Sequence, residues 1–149
     1  MPLPVNQRIG HYIKRVEQQL VSSKQSVLRP FKINVPQYTV LLVLSQEAGL
    51  SGAALARRCM VTPQTMSSVL ATLEGRGLVE RRNHPVHSHI LETRLTRAGR
   101  TLLNRADEAV TEVEQRLTDA FAPDETEQFL AQLERCMSAL GGEPSAAAG

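Results

Sequence analysis

The sequence predicts a mainly helical, α+β fold in which helices flank one small β-hairpin. Three observations point to it. Apolar residues recur at helical spacing along most of the 149 residues. Residues that favour helix N-caps, namely Asn34, Ser51, Thr62 and Thr96, stand just before such stretches. The period becomes strand-like in one place only, between Leu78 and Leu95. With 42% hydrophobic and 21% charged residues, the chain can bury a core and has the size of one domain, or one domain with an extension.

In chain order, Ile9, Tyr12, Ile13, Val16 and Leu20 form one apolar stripe on a first helix. Asn34-Val35-Pro36-Gln37 reads as a capping box, in which Asn34 accepts from a first-turn N–H, Gln37 reaches back, and Pro36 lacks an N–H that would go unpaired. From Tyr38 to Leu44 the next helix is apolar almost all round, which predicts a buried central helix ending at Gly49. Two short helices follow. Ser51 caps one whose Ala54, Leu55 and Cys59 face inward, and Thr62 and Pro63 open the other. The second turns Met66, Val69, Leu70 and Leu73 inward and closes at Gly75 and Gly77. Its outer face is small and polar: Gln64, Thr65, Ser67, Ser68, Ala71 and Thr72.

Residues 78–82 and 90–95 are strand candidates, and the loop between them is too long for a two-residue turn. Thr96 caps a long helix with Ala98, Leu102, Ala106, Ala109, Val113, Leu117 and Phe121 on its apolar face. Pro123 interrupts it, and a last helix carries Phe129, Leu133, Cys136 and Leu140 inward. Residues 142–149 are small and polar, which predicts a disordered tail.

Charge is unevenly spread. Residues 1–50 hold six Lys/Arg against two Asp/Glu, residues 51–100 eight against three, and residues 101–149 three against ten. The middle of the chain therefore suits an anionic partner. The longest aliphatic run, Val40 to Leu44, is far too short to span a bilayer, so no membrane partner is expected. Met1-Pro2-Leu3-Pro4 does not begin a secretory signal, and two cysteines suit a reducing compartment, so the expected location is the cytoplasm. No nucleophile–base–acid set or phosphate-cradling glycine loop stands out, so no enzyme, cofactor or catalytic residue is expected.

Two helices on a short turn followed by a hairpin describe a winged helix-turn-helix. A major groove roughly 12 Å wide admits one helix, the second of the pair. Its outward residues must then be short hydrogen-bonders, and Thr62, Pro63, Gln64, Thr65, Ser67 and Ser68 fit that need. Arg57, Arg58, Arg76, Arg81 and Arg82 supply phosphate attraction, with Ser51 and Thr72 as polar neighbours. The first and last helices carry apolar stripes outside this winged region, which predicts a homodimer that covers them. With about eight phosphates neutralised per dimer, the log–log salt slope of DNA binding is expected near −7.

The segments Pro36-Gln37-Tyr38, Leu55-Ala56-Arg57-Arg58, Val61-Thr62-Pro63-Gln64-Thr65-Met66, Leu73-Glu74-Gly75-Arg76-Gly77-Leu78-Val79-Glu80-Arg81 and Leu95-Thr96-Arg97-Ala98-Gly99 resemble the multiple-antibiotic-resistance regulator (MarR) family. The resemblance covers essentially the whole chain in element order. It implies a homodimeric transcription factor, a repressor on palindromic double-stranded DNA, with residues 1–34 and 97–141 as dimerisation helices and 35–96 as the winged helix-turn-helix. It also implies release by a small phenolic or aromatic-acid ligand, and Tyr12, Phe31 and Tyr38 are the aromatics that could line its pocket, unless they are core.

One departure stands at the wing. Where the family has Asp-x-Arg, this chain has His87-Ser88-His89, with His84 earlier in the loop and Arg94 on the strand after it. A neutral imidazole brings no cation to a narrow minor groove. Histidine titrates near about pH 6.5, so DNA affinity is expected to rise between about pH 7.5 and 6, and His89→Arg to flatten that rise. A pH-independent binding isotherm would remove the expectation. Three histidines on one loop without a nearby carboxylate make thin metal ligation, so no metal is expected. Cys59 and Cys136 read as small core hydrophobes; Arg57 and Arg58 leave redox sensing through Cys59 open, and a winged helix used only for protein contact is the other alternative.

Overall fold

Capping decides where most helices begin. In the computed structural model, which describes residues 1–142, the elements run α1 Ile9–Leu28, α2 Val35–Gln46, β1 Leu50–Ser51, α3 Gly52–Arg58, α4 Pro63–Gly75, β2 Val79–Asn83, β3 Leu91–Leu95, α5 Arg97–Thr118 and α6 Pro123–Ala139. The Asn34 capping box forms in both directions: the Gln37 N–H donates to Asn34 Oδ1 (2.9 Å) and the Asn34 N–H to Gln37 Oε1 (3.0 Å). Ser51 Oγ accepts from the Ala54 N–H (3.1 Å), Thr62 Oγ1 from Thr65 (3.1 Å) and Thr96 Oγ1 from Gly99 (3.0 Å). Each satisfies one of the four first-turn N–H groups that a helix leaves unpaired.

The chain divides into two units, Met1–Thr111 and the residues from Glu112 onward, the boundary falling within α5. The core of the first gathers Leu28 from α1, Tyr38, Val40, Leu41 and Leu44 from α2, Leu55 and Ala56 from α3, Met66, Leu70 and Leu73 from α4, Val79 from β2, and Leu103, Ala106 and Val110 from α5. The central helix is therefore buried, as its uninterrupted apolar run requires. In the second unit the Phe121 and Phe129 rings stack with centroids 5.2 Å apart, and Glu125 accepts from the Ala122 N–H (2.9 Å) at the start of α6.

The structure differs from the sequence expectations at five places. The sheet has three strands, not two: β1 pairs antiparallel with β3, which pairs antiparallel with β2, in the order β1-β3-β2. α2 stops at Gln46, before Gly49, and that glycine serves the sheet instead. Its φ is +78°, its N–H donates to Thr93 O (3.1 Å), and an added Cβ would stand 2.9 Å from Arg94 Nη2. Ala56 is buried on α3 where Ala54 is only half-buried. The buried stripe of α5 is Leu103, Ala106, Val110 and Val113, whereas Ala98 is exposed and Leu102 and Ala109 are half-buried. Apolar residues on neighbouring rows left the helix phase ambiguous, and Leu103, Ala106 and Val110 are the ones that join the core cluster. α6 buries none of its residues; Phe129 is 38% and Leu140 89% exposed. The expected tail lies, from residue 143, outside the described residues.

Candidate nucleic-acid interface

α3 and α4 meet through a turn at residues 59–62. Met60 adopts a left-handed φ of +55° there, and the Val61 N–H donates to Ala56 O (3.0 Å), folding the chain back so that Thr62 can cap α4. Burial of Met66, Leu70 and Leu73 fixes the rotation of α4. The same rotation leaves Gln64, Thr65, Ser67, Ser68, Ala71 and Thr72 exposed, as their spacing predicts. Their hydroxyls differ in availability. Thr62 Oγ1 donates to Thr65 Oγ1 (2.9 Å), and Thr72 Oγ1 donates back to Ser68 O (3.2 Å). Gln64, Ser67 and Ser68 make no side-chain hydrogen bond among the described residues and remain open to an outside partner.

The arginines assigned to phosphate are mostly engaged within the chain. Arg58 grips Glu47 with both Nη atoms, its Nη2 donating to Oε1 at 3.1 Å. Arg82 pairs with Glu80 (3.2 Å) and Arg94 with Glu92 (3.3 Å), all four on the face of the sheet opposite buried Thr93. Arg81 sits opposite Thr93 in register, so its side chain starts toward the inner face. Its Nε is buried without a partner among the described residues, and its Nη2 lies over Gly52 at the start of α3. Arg76 donates to two backbone carbonyls far away in sequence, Lys32 O (2.6 Å) and Phe31 O (3.4 Å). Arg57 alone of the six is exposed and uncommitted among the described residues. Exposed ion pairs still contribute to the surface potential, but each arginine held by a carboxylate brings less net charge to a phosphate.

The wing has internal order. His84 Nδ1 accepts from the backbone N–H groups of Val86 (3.0 Å) and His87 (2.9 Å), while its Nε2 lies 3.5 Å from Glu92 Oε1. Two donors facing Nδ1 place the ring proton on Nε2. His84, assigned to DNA from sequence, thus organises the loop. The rings of His87 and His89 are exposed with centroids 6.2 Å apart. Among the described residues no group of three His, Cys, Asp or Glu is placed to hold a metal ion.

Of the three candidate pocket aromatics, Phe31 packs against the core cluster that contains Tyr38, and Tyr12 stands apart. Tyr12 is 50% exposed and its hydroxyl donates to Asn6 O (3.1 Å), whereas Tyr38 is 5% exposed and its hydroxyl donates to Asp107. Tyr12 and Leu28 are 16 positions apart on α1, about 24 Å at helical rise. Phe31 is half-buried in the 3-10 turn that follows α1, with the Arg105 guanidinium 5.8 Å from its ring centroid. Sequence reasoning missed Arg105, Asp107, Glu47 and Glu92, because each acquires its role from a partner on another element. Cys59 is half-buried at the end of α3, and desolvation pushes its thiol above the ordinary range, which reduces the thiolate that redox chemistry needs. Among the described residues no helix is long and apolar enough to cross a membrane.

Known proteins resemble this chain in sequence and in fold. A model of the MarR family matches residues 31–88. The HTH-type transcriptional repressor Rv2887 of Mycobacterium tuberculosis is 34% identical over 127 residues, 85% of this chain and 91% of its own length. A crystal structure of that protein, a MarR family member, in complex with p-aminosalicylic acid superposes with a TM-score of 0.70 at 33% identity, covering 87% of this chain and 98% of the other. The transcriptional repressor CouR, bound to a 23-mer DNA duplex, superposes with a TM-score of 0.80 at 27% identity, covering 89% and 96%.

Proposed function

From the premise that this chain belongs to the MarR family, we propose that it is a transcriptional repressor that binds palindromic duplex DNA as a homodimer. The observation that carries this is the outer face of α4: Gln64, Ser67 and Ser68 stand exposed and uncommitted on a helix whose inner face is locked into the core. Gln can pair bidentately with adenine, and Ser can meet bases or phosphates. Arg57 and the N-terminus of α4, with its Thr62 cap, add phosphate contacts. The exposed stripe Ile9, Tyr12, Ile13 and Val16 on α1 is covered in the dimer, as is the apolar face of α6. Residues 35–96 read the DNA, and residues 1–34 and 97–141 hold the subunits together. DNA is bound by CouR, and an aromatic acid by Rv2887. For this chain we place a small aromatic acid at Phe31, where the Arg105 cation and the ring form an aromatic and basic corner.

Selection from a random duplex pool with the purified chain tests the reading. The expected product is a palindrome whose half-sites are centred about one helical turn, or 10 base pairs, apart. Salicylate in excess is expected to release it. A pool that stays random after repeated rounds would overturn the proposal.

A further inference from the structure

Arg76 follows the last residue of α4 and is exposed, so charge alone makes it a phosphate ligand. Its guanidinium instead reaches 44 residues back in sequence, donating from Nη1 to Lys32 O (2.6 Å) and from Nη2 to Phe31 O (3.4 Å). Those carbonyls belong to the 3-10 turn Arg29–Phe31 and its cap, the corner between α1 and α2. Lys32 there has a left-handed φ of +56°, a conformation that a non-glycine residue keeps only where its surroundings hold it. The Lys32 N–H donates to Arg29 O (3.0 Å), and Arg76 secures the opposite side of the same peptide corner.

We infer that Arg76 is a positioning residue: it clamps the C-terminal end of the DNA-reading helix to the α1–α2 corner and does not neutralise a phosphate. The chemistry supports a clamp. A planar guanidinium presents two parallel donors and can hold two adjacent carbonyls, whereas a lysine ammonium acts as a point charge. α4 is also held by its buried face, through Met66, Leu70 and Leu73. The contact at residue 76, one position beyond the helix, adds a tie from its C-terminal end to the α1–α2 corner. The corner it grips also carries Phe31 beneath Arg105, so a change at Phe31 reaches the reading helix through one side chain.

The inference rests on the DNA-binding reading only where DNA is the readout, and the test separates the two. Hydrogen exchange in the DNA-free protein comes first. In Arg76→Gln the amides of residues 31–34 are expected to exchange about tenfold faster, because a charge-assisted bond to their peptide corner is lost. Arg76→Lys, which keeps the charge but not the fork, is expected to fall between the two. The second readout is binding to the selected duplex as a function of salt. Arg76→Gln is expected to weaken binding about tenfold with the log–log slope unchanged. A slope reduced by about two per dimer, with parental exchange at residues 31–34, would make Arg76 a phosphate ligand and overturn the clamp. Full retention of both properties by Arg76→Lys would overturn it as well. If the parent chain selects no duplex, the proposed function fails, and the exchange result alone decides for or against the clamp.

Discussion

Ser68→Glu is expected to lower affinity for the selected duplex by at least about 100-fold while leaving the thermal midpoint nearly unchanged. Ser68 stands exposed on the side of α4 opposite Met66, Leu70 and Leu73, in line with Gln64 and Ala71. A carboxylate there would sit between two phosphate backbones, with no cation of α4 near enough to offset it, since that helix contains no Lys or Arg. It would also replace a hydroxyl able to donate or accept with a group that only accepts, which most base edges in the groove do not match. Glutamate is a good helix former, so the fold should tolerate the change. Fluorescence anisotropy with labelled duplex and a thermal melt of the same sample check both halves. Undiminished affinity in Ser68→Glu would mean that this face does not enter the groove, and the proposed function would need another surface.

The largest loss of stability is expected at Gly99. A Cβ built there would lie 2.0 Å from Leu78 O, 2.9 Å from Leu78 C and 3.3 Å from its Cα. The obstacle is backbone and is pinned: Leu78 O accepts from the Thr96 N–H (3.1 Å), and Thr96 Oγ1 donates to Gly77 O (2.6 Å) while accepting from Gly99 N–H (3.0 Å). Relief would require α5 to move away from the strand entry at Leu78, breaking the Thr96 cap. Gly99→Ala should therefore cost about 3 kcal/mol or more, a fall of roughly 10 °C in thermal midpoint for a chain of this size. Gly75→Ala is the control. Gly75 is helical, with nothing within 4 Å of an added Cβ, so alanine there should raise stability by about 0.5–1 kcal/mol. Equal midpoints for the two variants would mean that α5 does not approach Leu78 as closely as described.

The parts of the fold that could be read from the chain are those decided by neighbours in sequence. Asn34 and Gln37 are three residues apart, and both bonds of their capping box form as spacing dictates. Thr62 and Pro63 place the start of α4, and the period of Met66, Leu70 and Leu73 aims its polar side outward. The third strand escaped notice because Leu50 and Ser51 are too few to show alternation, and only pairing with Thr93 and Glu92 makes them a strand. The α5 stripe shares Ala106 and Val113 with the expected one but takes Leu103 and Val110 in place of Leu102 and Ala109, adjacent positions that only packing distinguishes.

Residue type was enough to nominate the arginines but not to assign their work. Arg58 is taken up by Glu47, 11 residues earlier, Arg76 by carbonyls 44 and 45 residues earlier, and Arg81 turns inward because its register opposite Thr93 requires it. His84 looked like its two neighbours in the wing, yet its ring ties the loop together.

By itself, then, the sequence determined which stretches are helical, where they start and which face of α4 is polar, since caps and periodicity act over three to seven residues and need no tertiary partner. Which cations remain available to a partner, which histidine is structural and why Gly99 must be glycine were decided by the tertiary structure alone. Hydrogen bonds and steric contacts depend on distance in space, and folding brings together groups that the chain keeps dozens of residues apart.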